Sequence, residues 1–141
     1  MLKILIVDDE PDICELIHKL IDWEALKMTS LGSSQNGIDA MEIILRQKPD
    51  IVITDIQMPG MTGLEMIEKA SQQKLQTKFI VISGYREFEY AQQAIRFGVE
   101  DYLLKPISKT DLNLVLKRLL QENGAFLERR ASENAMRNEL R

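Results

Sequence analysis

The stretch that decides the fold is Ile51-Val52-Ile53-Thr54-Asp55-Ile56-Gln57-Met58-Pro59-Gly60. Its apolar, β-branched start predicts a short buried strand, and Met58-Pro59-Gly60 predicts the turn that ends it. Asp55 therefore lies where the strand leaves the core. Acids are rarely placed against a core without a partner, and ligands collect at the carboxyl ends of strands in open α/β sheets. We therefore predict that Asp55 is a nucleophile, a metal ligand or both.

Four other apolar runs predict strands of the same kind, at Leu2–Val7, Met28–Ser33, Phe79–Ile82 and Tyr102–Leu104. Helical spacing of apolar residues predicts five helices that alternate with the five strands, the first running up to Trp23. Strict alternation predicts an α/β fold with a parallel sheet covered on both faces.

Local signals place the helix ends. An acid before Pro11, Asn36-Gly37, the pair Thr62 and Glu65, and the pair Ser108 and Asp111 predict starts. Gly98 predicts the end of the fourth helix. The residues predicted to face the core are Ile13, Leu16, Ile17, Leu20 and Ile21, then Ala40, Met41 and Ile44, then Leu64, Ile67 and Ala70, then Phe88, Ala91, Ala94 and Ile95, and finally Leu112, Val115, Leu116, Leu119 and Leu120.

Composition narrows the class of protein. The chain has 141 residues, of which 45% are hydrophobic and 28% charged, as in an ordinary globular domain. The net charge of −4 argues against nucleic-acid binding by this segment itself. The single cysteine, Cys14, excludes an internal disulfide and suits a reducing compartment. The apolar run that ends at Val7 is too short for a signal peptide or a membrane span, so we expect a cytoplasmic protein without a membrane partner.

The polar groups of interest all follow predicted strands. Asp8 and Asp9 follow the first, Asp55 the third, Ser83 the fourth and Lys105 the fifth. Carboxylates brought together repel one another unless a cation neutralises them, and oxygen ligands of this kind favour Mg²⁺. Lys105 adds a fixed positive charge and Ser83 a hydroxyl donor, which together suit an incoming phosphoryl group.

In that order, Asp8-Asp9, Asp55, Met58-Pro59-Gly60, Ser83 and Lys105-Pro106 resemble the motifs of receiver domains of two-component response regulators. The resemblance covers residues 1–122. It implies a flavodoxin-like, doubly wound sheet of five parallel strands in the order 2-1-3-4-5 with five helices. Residues 123–141 are polar, and we expect either a linker or a helical extension toward an output domain beyond Arg141.

The resemblance also assigns roles at the metal site. It implies that Asp55 is the phosphoacceptor, which receives its phosphoryl group from a sensor histidine kinase. Asp9 would bind Mg²⁺ directly and Asp8 through water, and Asp55 and the backbone carbonyl of Gln57 would be further ligands. The domain would not be an enzyme acting on other substrates, apart from its own phosphorylation and dephosphorylation.

The same resemblance assigns the phosphoryl-binding and switch residues. Ser83 and Lys105 would bind the phosphoryl oxygens, and the Lys105-Pro106 peptide bond would be cis. Ser83 and Tyr102 would form the switch, with Tyr102 rotating inward behind Ser83. The surface of the fourth helix, fifth strand and fifth helix would then change, and we expect it to form a homodimer on phosphorylation.

A narrower resemblance concerns the output. The stretches 83–91 and 98–106 are similar to receivers joined to AraC-type helix-turn-helix domains. This implies a transcription regulator whose DNA binding belongs to a domain outside the chain. Alternatives are a stand-alone receiver in a phosphorelay, a degenerate receiver, a nucleotide-binding module and an aspartate-nucleophile phosphatase. The phosphatase would need an acid two residues after the nucleophile, where this chain has Gln57.

Overall fold

A computed structural model describes residues 1–84 and 88–123, apart from the side chains of Phe88, Tyr90 and Ala91. The elements in chain order are β1 (Leu2–Val7), α1 (Pro11–Leu20), α2 (Trp23–Leu26), β2 (Met28–Ser34), α3 (Gly37–Gln47), β3 (Ile51–Thr54), α4 (Gly63–Gln72), β4 (Lys78–Ser83), α5 (Phe88–Arg96), β5 (Asp101–Leu104) and α6 (residues 109–123). The predictions for residues 124–141 and for the side chains of Phe88 and Ala91 lie outside the described residues.

The five strands form one parallel sheet in the order β2-β1-β3-β4-β5. This order and the alternation with helices confirm the predicted flavodoxin-like fold. All five predicted strands are present, and β1 and β3 have the predicted bounds.

Alternate side chains of each strand enter different halves of the core. In β1, Ile4 and Ile6 pack in the cluster that contains α1, α2 and α6, whereas Leu5 and Val7 pack in the cluster that contains α3, α4 and α5. Apolar residues on both strand faces are what a sheet covered by helices on both sides requires. The two hydrophobic clusters thus hold the sheet in place, and the ends of its strands remain available for a functional site.

The prediction of five helices is corrected by the structure, because the described residues contain a sixth, the short helix α2. The predicted first helix ends at Leu20 rather than continuing to Trp23. Asn113 of α6 bonds to the backbone on both sides of the break. Its Nδ2 donates to the carbonyl of Leu20 at 2.8 Å and its Oδ1 accepts from the N–H of Asp22 at 2.9 Å. These bonds satisfy backbone groups that the interrupted helix leaves open.

Three local predictions were wrong. Leu16 and Ile95 are 41% and 68% exposed, because the buried stripes of their helices centre on Cys14 and Ile17 and on Ala94. The acid before Pro11, Glu10, occupies the N-cap position, but its side chain makes no capping hydrogen bond. The backbone N–H of Glu10 instead donates to Oδ1 of Asp8 at 3.0 Å.

The other start signals act as predicted. Asn36, Thr62 and Ser108 accept the backbone N–H three residues later, and Gly98 adopts a left-handed conformation just after α5. Within the part of the chain that the structure describes, none of the helices has the length and hydrophobicity needed to cross a bilayer.

Candidate phosphoacceptor and metal site

The first and third strands end side by side. Val7 pairs with Thr54, so the next residues, Asp8 and Asp55, leave the sheet at the same level. The N–H of Asp55 donates to the carbonyl of Val7 at 3.0 Å, and the N–H of Asp8 donates to the carbonyl of Ser34 at 3.1 Å. These backbone hydrogen bonds therefore fix the main-chain positions from which both carboxylate side chains extend.

The fourth and fifth strands bring their polar residues to the same edge. Ser83 pairs with Leu104, and the N–H of Lys105 donates to the carbonyl of Ser83 at 2.8 Å. The peptide bond between Lys105 and Pro106 is cis, in the arrangement that the resemblance implies.

Three carboxylates converge at this edge. One oxygen each of Asp8, Asp9 and Asp55 lies within 4.8 Å of the others. Asp8 and Asp55 are buried, with 1% and 8% of their surface exposed, whereas Asp9 is exposed. Closely grouped carboxylate oxygens fit the hard-donor preference of Mg²⁺, and these residues could hold that ion.

The pKa of Asp8 differs from that of a solvent-exposed aspartate. Burial raises its pKa from 3.8 to about 6, and the charge of Asp55 adds to the rise. The N–H of Glu10 and the ammonium of Lys105 oppose it. A bound cation would lower the free-energy cost of keeping the Asp8 carboxylate ionised.

Lys105 supplies a positive charge beside the carboxylates of Asp8 and Asp55. Its Nζ lies 3.2 Å from Oδ2 of Asp55 and 3.4 Å from Oδ2 of Asp8, so one ammonium bridges two strands' carboxylates. Burial lowers the pKa of Lys105, but the two carboxylates outweigh it and raise the pKa above its usual value. Lys105 therefore stays protonated at neutral pH.

Ser83 and Tyr102 flank the site on the neighbouring strands. Ser83 is fully buried, and its hydroxyl has no hydrogen-bond partner among the residues that the structure describes. Tyr102 is half-buried and packs against the core cluster of α3, α4 and α5. Gln57 lies in the loop after Asp55 with its side chain exposed. The roles assigned to these three residues stay predictions.

Some residues around the site were not found from the sequence. Cys14 of α1 donates its S–H to the carbonyl of Asp8 at 3.5 Å, beneath the acidic cluster. Thr54 donates its hydroxyl to the carbonyl of Asp55 at 2.8 Å. Gly37 and Gly63 are in close contact with the loop after β3. The sequence carried no signal for the close glycine contacts, because they join atoms that only the fold brings together.

Comparison with known proteins identifies the family. Residues 4–117 match the family model described as the response regulator receiver domain. The chain belongs to this family. It is a receiver domain of a two-component system, as the motifs around Asp55 predicted.

Similar proteins extend this result. The receiver is 45% identical over 122 residues to the transcriptional regulatory protein YesN of Bacillus subtilis, covering 86% of this chain and 33% of YesN. It is 34% identical over 121 residues to the transcriptional regulatory protein HptR of Staphylococcus aureus, covering 86% and 47%. The solved REC domain of AraT, a response regulator from Geobacillus stearothermophilus, superimposes with a TM-score of 0.84 at 38% identity, covering 89% of this chain and 98% of that one. The receiver spans only a third to a half of the length of YesN and HptR.

Proposed function

We propose that Asp55 accepts a phosphoryl group from the phosphohistidine of a sensor histidine kinase. A carboxylate oxygen of Asp55 attacks phosphorus and forms an O–P bond. The P–N bond breaks, and its electron pair remains on the imidazole nitrogen, which takes up a proton. The product is an acyl phosphate on Asp55.

The observation that carries the proposal is the position of the Lys105 ammonium, 3.2 Å from Asp55 and 3.4 Å from Asp8. Phosphorylation adds about −1.5 to −2 charge and three acceptor oxygens at one point. A fixed cation at this distance would pair with those oxygens, and its raised pKa keeps it charged at the pH of a cell. An aspartate with only a structural role at a strand end would not require a lysine in this position.

Asp8, Asp9, Asp55 and the backbone carbonyl of Gln57 would hold Mg²⁺. When bound, the ion would neutralise the phosphoryl oxygens and the crowded carboxylates. The fit rests on the three converging carboxylate oxygens, two of which belong to the buried residues Asp8 and Asp55.

Ser83 and Tyr102 would transmit the effect of phosphorylation from Asp55 to the surface. The buried hydroxyl of Ser83 is a donor without an acceptor in the described residues, and a phosphoryl oxygen on Asp55 would supply one. Movement of Ser83 would leave space for Tyr102, whose backbone belongs to the edge strand β5.

The surface of α5, β5 and α6 is the face that we expect to respond. It carries two exposed apolar side chains, Ile95 and Leu104, which are 68% and 54% exposed. We propose that this face forms a homodimer on phosphorylation. Sedimentation of the receiver with and without a phosphoryl mimic would test this, and an unchanged mass and shape would refute it.

The longer relatives support an output role. YesN and HptR are named transcriptional regulatory proteins, and each is more than twice the length of the matched region. We propose that residues 1–122 control transcription through an AraC-type DNA-binding domain, joined by residues 123–141, and that the protein acts in the cytoplasm.

The decisive experiment is Mg²⁺-dependent labelling by a small phosphodonor, read by intact mass. Wild type should gain the mass of one phosphoryl group, and the gain should be absent in Asp55→Ala and in EDTA. Asp111→Ala, which removes an exposed acid of α6, is the matched control and should label like wild type. Labelling that persists in Asp55→Ala would exclude Asp55 as the acceptor. Rapid turnover of a generic phosphomonoester would favour the phosphatase alternative.

A further inference from the structure

Two glycines begin the helices that border the loop carrying Asp55. Gly37 is the first residue of α3 and Gly63 the first residue of α4. Both are buried, and neither has the positive φ that favours glycine over other residues. Their backbone conformations are therefore open to any residue, and the reason for glycine must lie in the space around them.

Gly63 lies against the backbone of the phosphoacceptor. A Cβ at this position would collide with the carbonyl oxygen of Asp55 and would lie 3.2 Å from Cα of Ile56. The N–H of Gly63 donates to the carbonyl of Ile56 at 2.7 Å, and the hydroxyl of Thr54 donates to the carbonyl of Asp55 at 2.8 Å. The end of β3 thus holds the carbonyl of Asp55, and the start of α4 holds the carbonyl of the next residue.

Gly37 lies against the other end of the same loop. A Cβ there would collide with the carbonyl oxygen of Met61 and would lie 2.8 Å from its Cβ. Gly32, Gly84 and Gly98 differ, since among the described residues a Cβ at any of them would meet nothing within 4 Å. A Cβ at Gly60 would meet only the side chain of Ile38, at 2.8 Å. Among the described glycines, Gly37 and Gly63 are therefore the two whose added Cβ would meet backbone atoms, and both contacts are with the segment 55–61.

We propose that Gly63 is a positioning residue for Asp55, and that Gly37 fixes the far end of the loop. This inference rests on the proposed phosphoacceptor role of Asp55. The carboxylate must stay in reach of Lys105 and of the oxygens of Asp8 and Asp9, and backbone atoms cannot yield to a new methyl group as a flexible side chain would. A shift of about 1 Å at a reacting group is enough to slow a reaction by about 100-fold.

The test compares Gly63→Ala, Gly37→Ala and Gly98→Ala with wild type. Gly98 has a φ of +77°, and a Cβ there would meet no atom of the described residues within 4 Å, so alanine strains the backbone without touching the loop 55–61. The first readout is the rate of Mg²⁺-dependent labelling at saturating phosphodonor. The second is the NMR shift of the Ile56 amide, which donates to Oδ1 of Asp55 at 2.7 Å and reports on the carboxylate directly.

Gly63→Ala should label about 10- to 100-fold more slowly than wild type and should move the Ile56 amide resonance. Gly37→Ala should show a smaller loss, and Gly98→Ala should stay within about twofold with the Ile56 resonance unmoved. A folded Gly63→Ala protein with the wild-type rate and an unmoved Ile56 resonance would overturn the proposal. So would an equal loss of rate in Gly98→Ala, because general destabilisation would then explain the effect.

Thr54→Val tests the same idea if Gly63→Ala does not fold. It removes the hydroxyl that holds the Asp55 carbonyl and adds no atom beside Gly63, so labelling should slow by about 3- to 10-fold. Thr54→Ser should restore the rate, and a wild-type rate in Thr54→Val would count against the proposal. A wild type that fails to label would refute the phosphoacceptor role instead, and the Ile56 resonance would still decide whether Gly63 positions Asp55.

Discussion

Replacing Asp8 by asparagine should stabilise the receiver when Mg²⁺ is absent. Asp8 is 1% exposed, and burial beside Asp55 raises its pKa from 3.8 to about 6. Asparagine keeps the shape and can still accept the N–H of Glu10, but it carries no charge. The substitution therefore removes the cost of holding a buried carboxylate ionised at neutral pH.

The magnitude follows from the pKa. One pKa unit corresponds to about 1.4 kcal/mol, so the rise from 3.8 to about 6 amounts to about 3 kcal/mol. Asparagine also loses the ion pair of Asp8 with Lys105, at 3.4 Å, which reduces the gain. We expect the free energy of unfolding to increase by about 1 to 3 kcal/mol at pH 7.

The increase in the free energy of unfolding caused by Asp8→Asn should depend on pH in a defined direction. The folded state keeps a proton on Asp8 to a higher pH than the unfolded chain does, so the Asp8 contribution to wild-type stability falls as pH rises from about 4 to about 6. Asp8→Asn lacks this dependence. The difference between the two proteins should therefore be small near pH 4 and fully developed above about pH 6.

Urea denaturation in EDTA at several pH values measures the effect. Asp9→Asn is the control, because it removes the same formal charge from an exposed side chain and should change stability by about 0.5 kcal/mol or less. Mg²⁺ at 100 times its Kd would return about 2.7 kcal/mol to wild type and should cancel the advantage of Asp8→Asn. An Asp8→Asn protein no more stable than wild type at pH 7, or a gain that does not vary with pH, would refute the reasoning.

Three further predictions concern the site and the helix junction. Lys105→Met should tighten Mg²⁺ binding by about tenfold in an NMR titration, because the competing cation is gone, and unchanged or weaker binding would contradict this. Ser83→Ala should raise the unfolding free energy of the unmodified receiver by about 1 kcal/mol, since it deletes a buried hydroxyl that has no partner among the described residues. It should also reduce the rise in Tm caused by beryllofluoride; an undiminished rise would exclude a contact with the phosphoryl mimic. Asn113→Ala should cost about 1 to 2 kcal/mol in urea denaturation, because the backbone groups of Leu20 and Asp22 lose their partner, and an unchanged midpoint would show that water replaces it.

The sheet and the site edge could be predicted because they follow from short-range patterns. Apolar runs such as Leu2–Val7 and Ile51–Thr54 specify buried strands, and alternation with helices specifies a parallel sheet. Polar residues that directly follow such strands, such as Asp55 and Lys105, must then meet at one edge. Their mutual distances needed the structure, because the register between strands is a tertiary property.

The errors came from features that tertiary contacts decide. The break after Leu20 is bridged by Asn113, which lies 93 residues further along the chain. Ala94 and Ile95 were both predicted to be buried, but the orientation of α5 turns only Ala94 inward. The tight contacts of Gly63 could not be read from its neighbours in sequence, since the atom that excludes a side chain is the carbonyl oxygen of Asp55.

The pairing of β4 with β5 has a consequence for synthesis of the protein on the ribosome. Lys105 reaches the acidic cluster only after β5 has joined the sheet, and its backbone N–H is bonded to Ser83. A nascent chain that ends before β5 would hold the acids of β1 and β3 without the lysine that bridges them. If Asp55 is the phosphoacceptor, as proposed, an unfinished chain would therefore lack the cation that pairs with the incoming phosphoryl group.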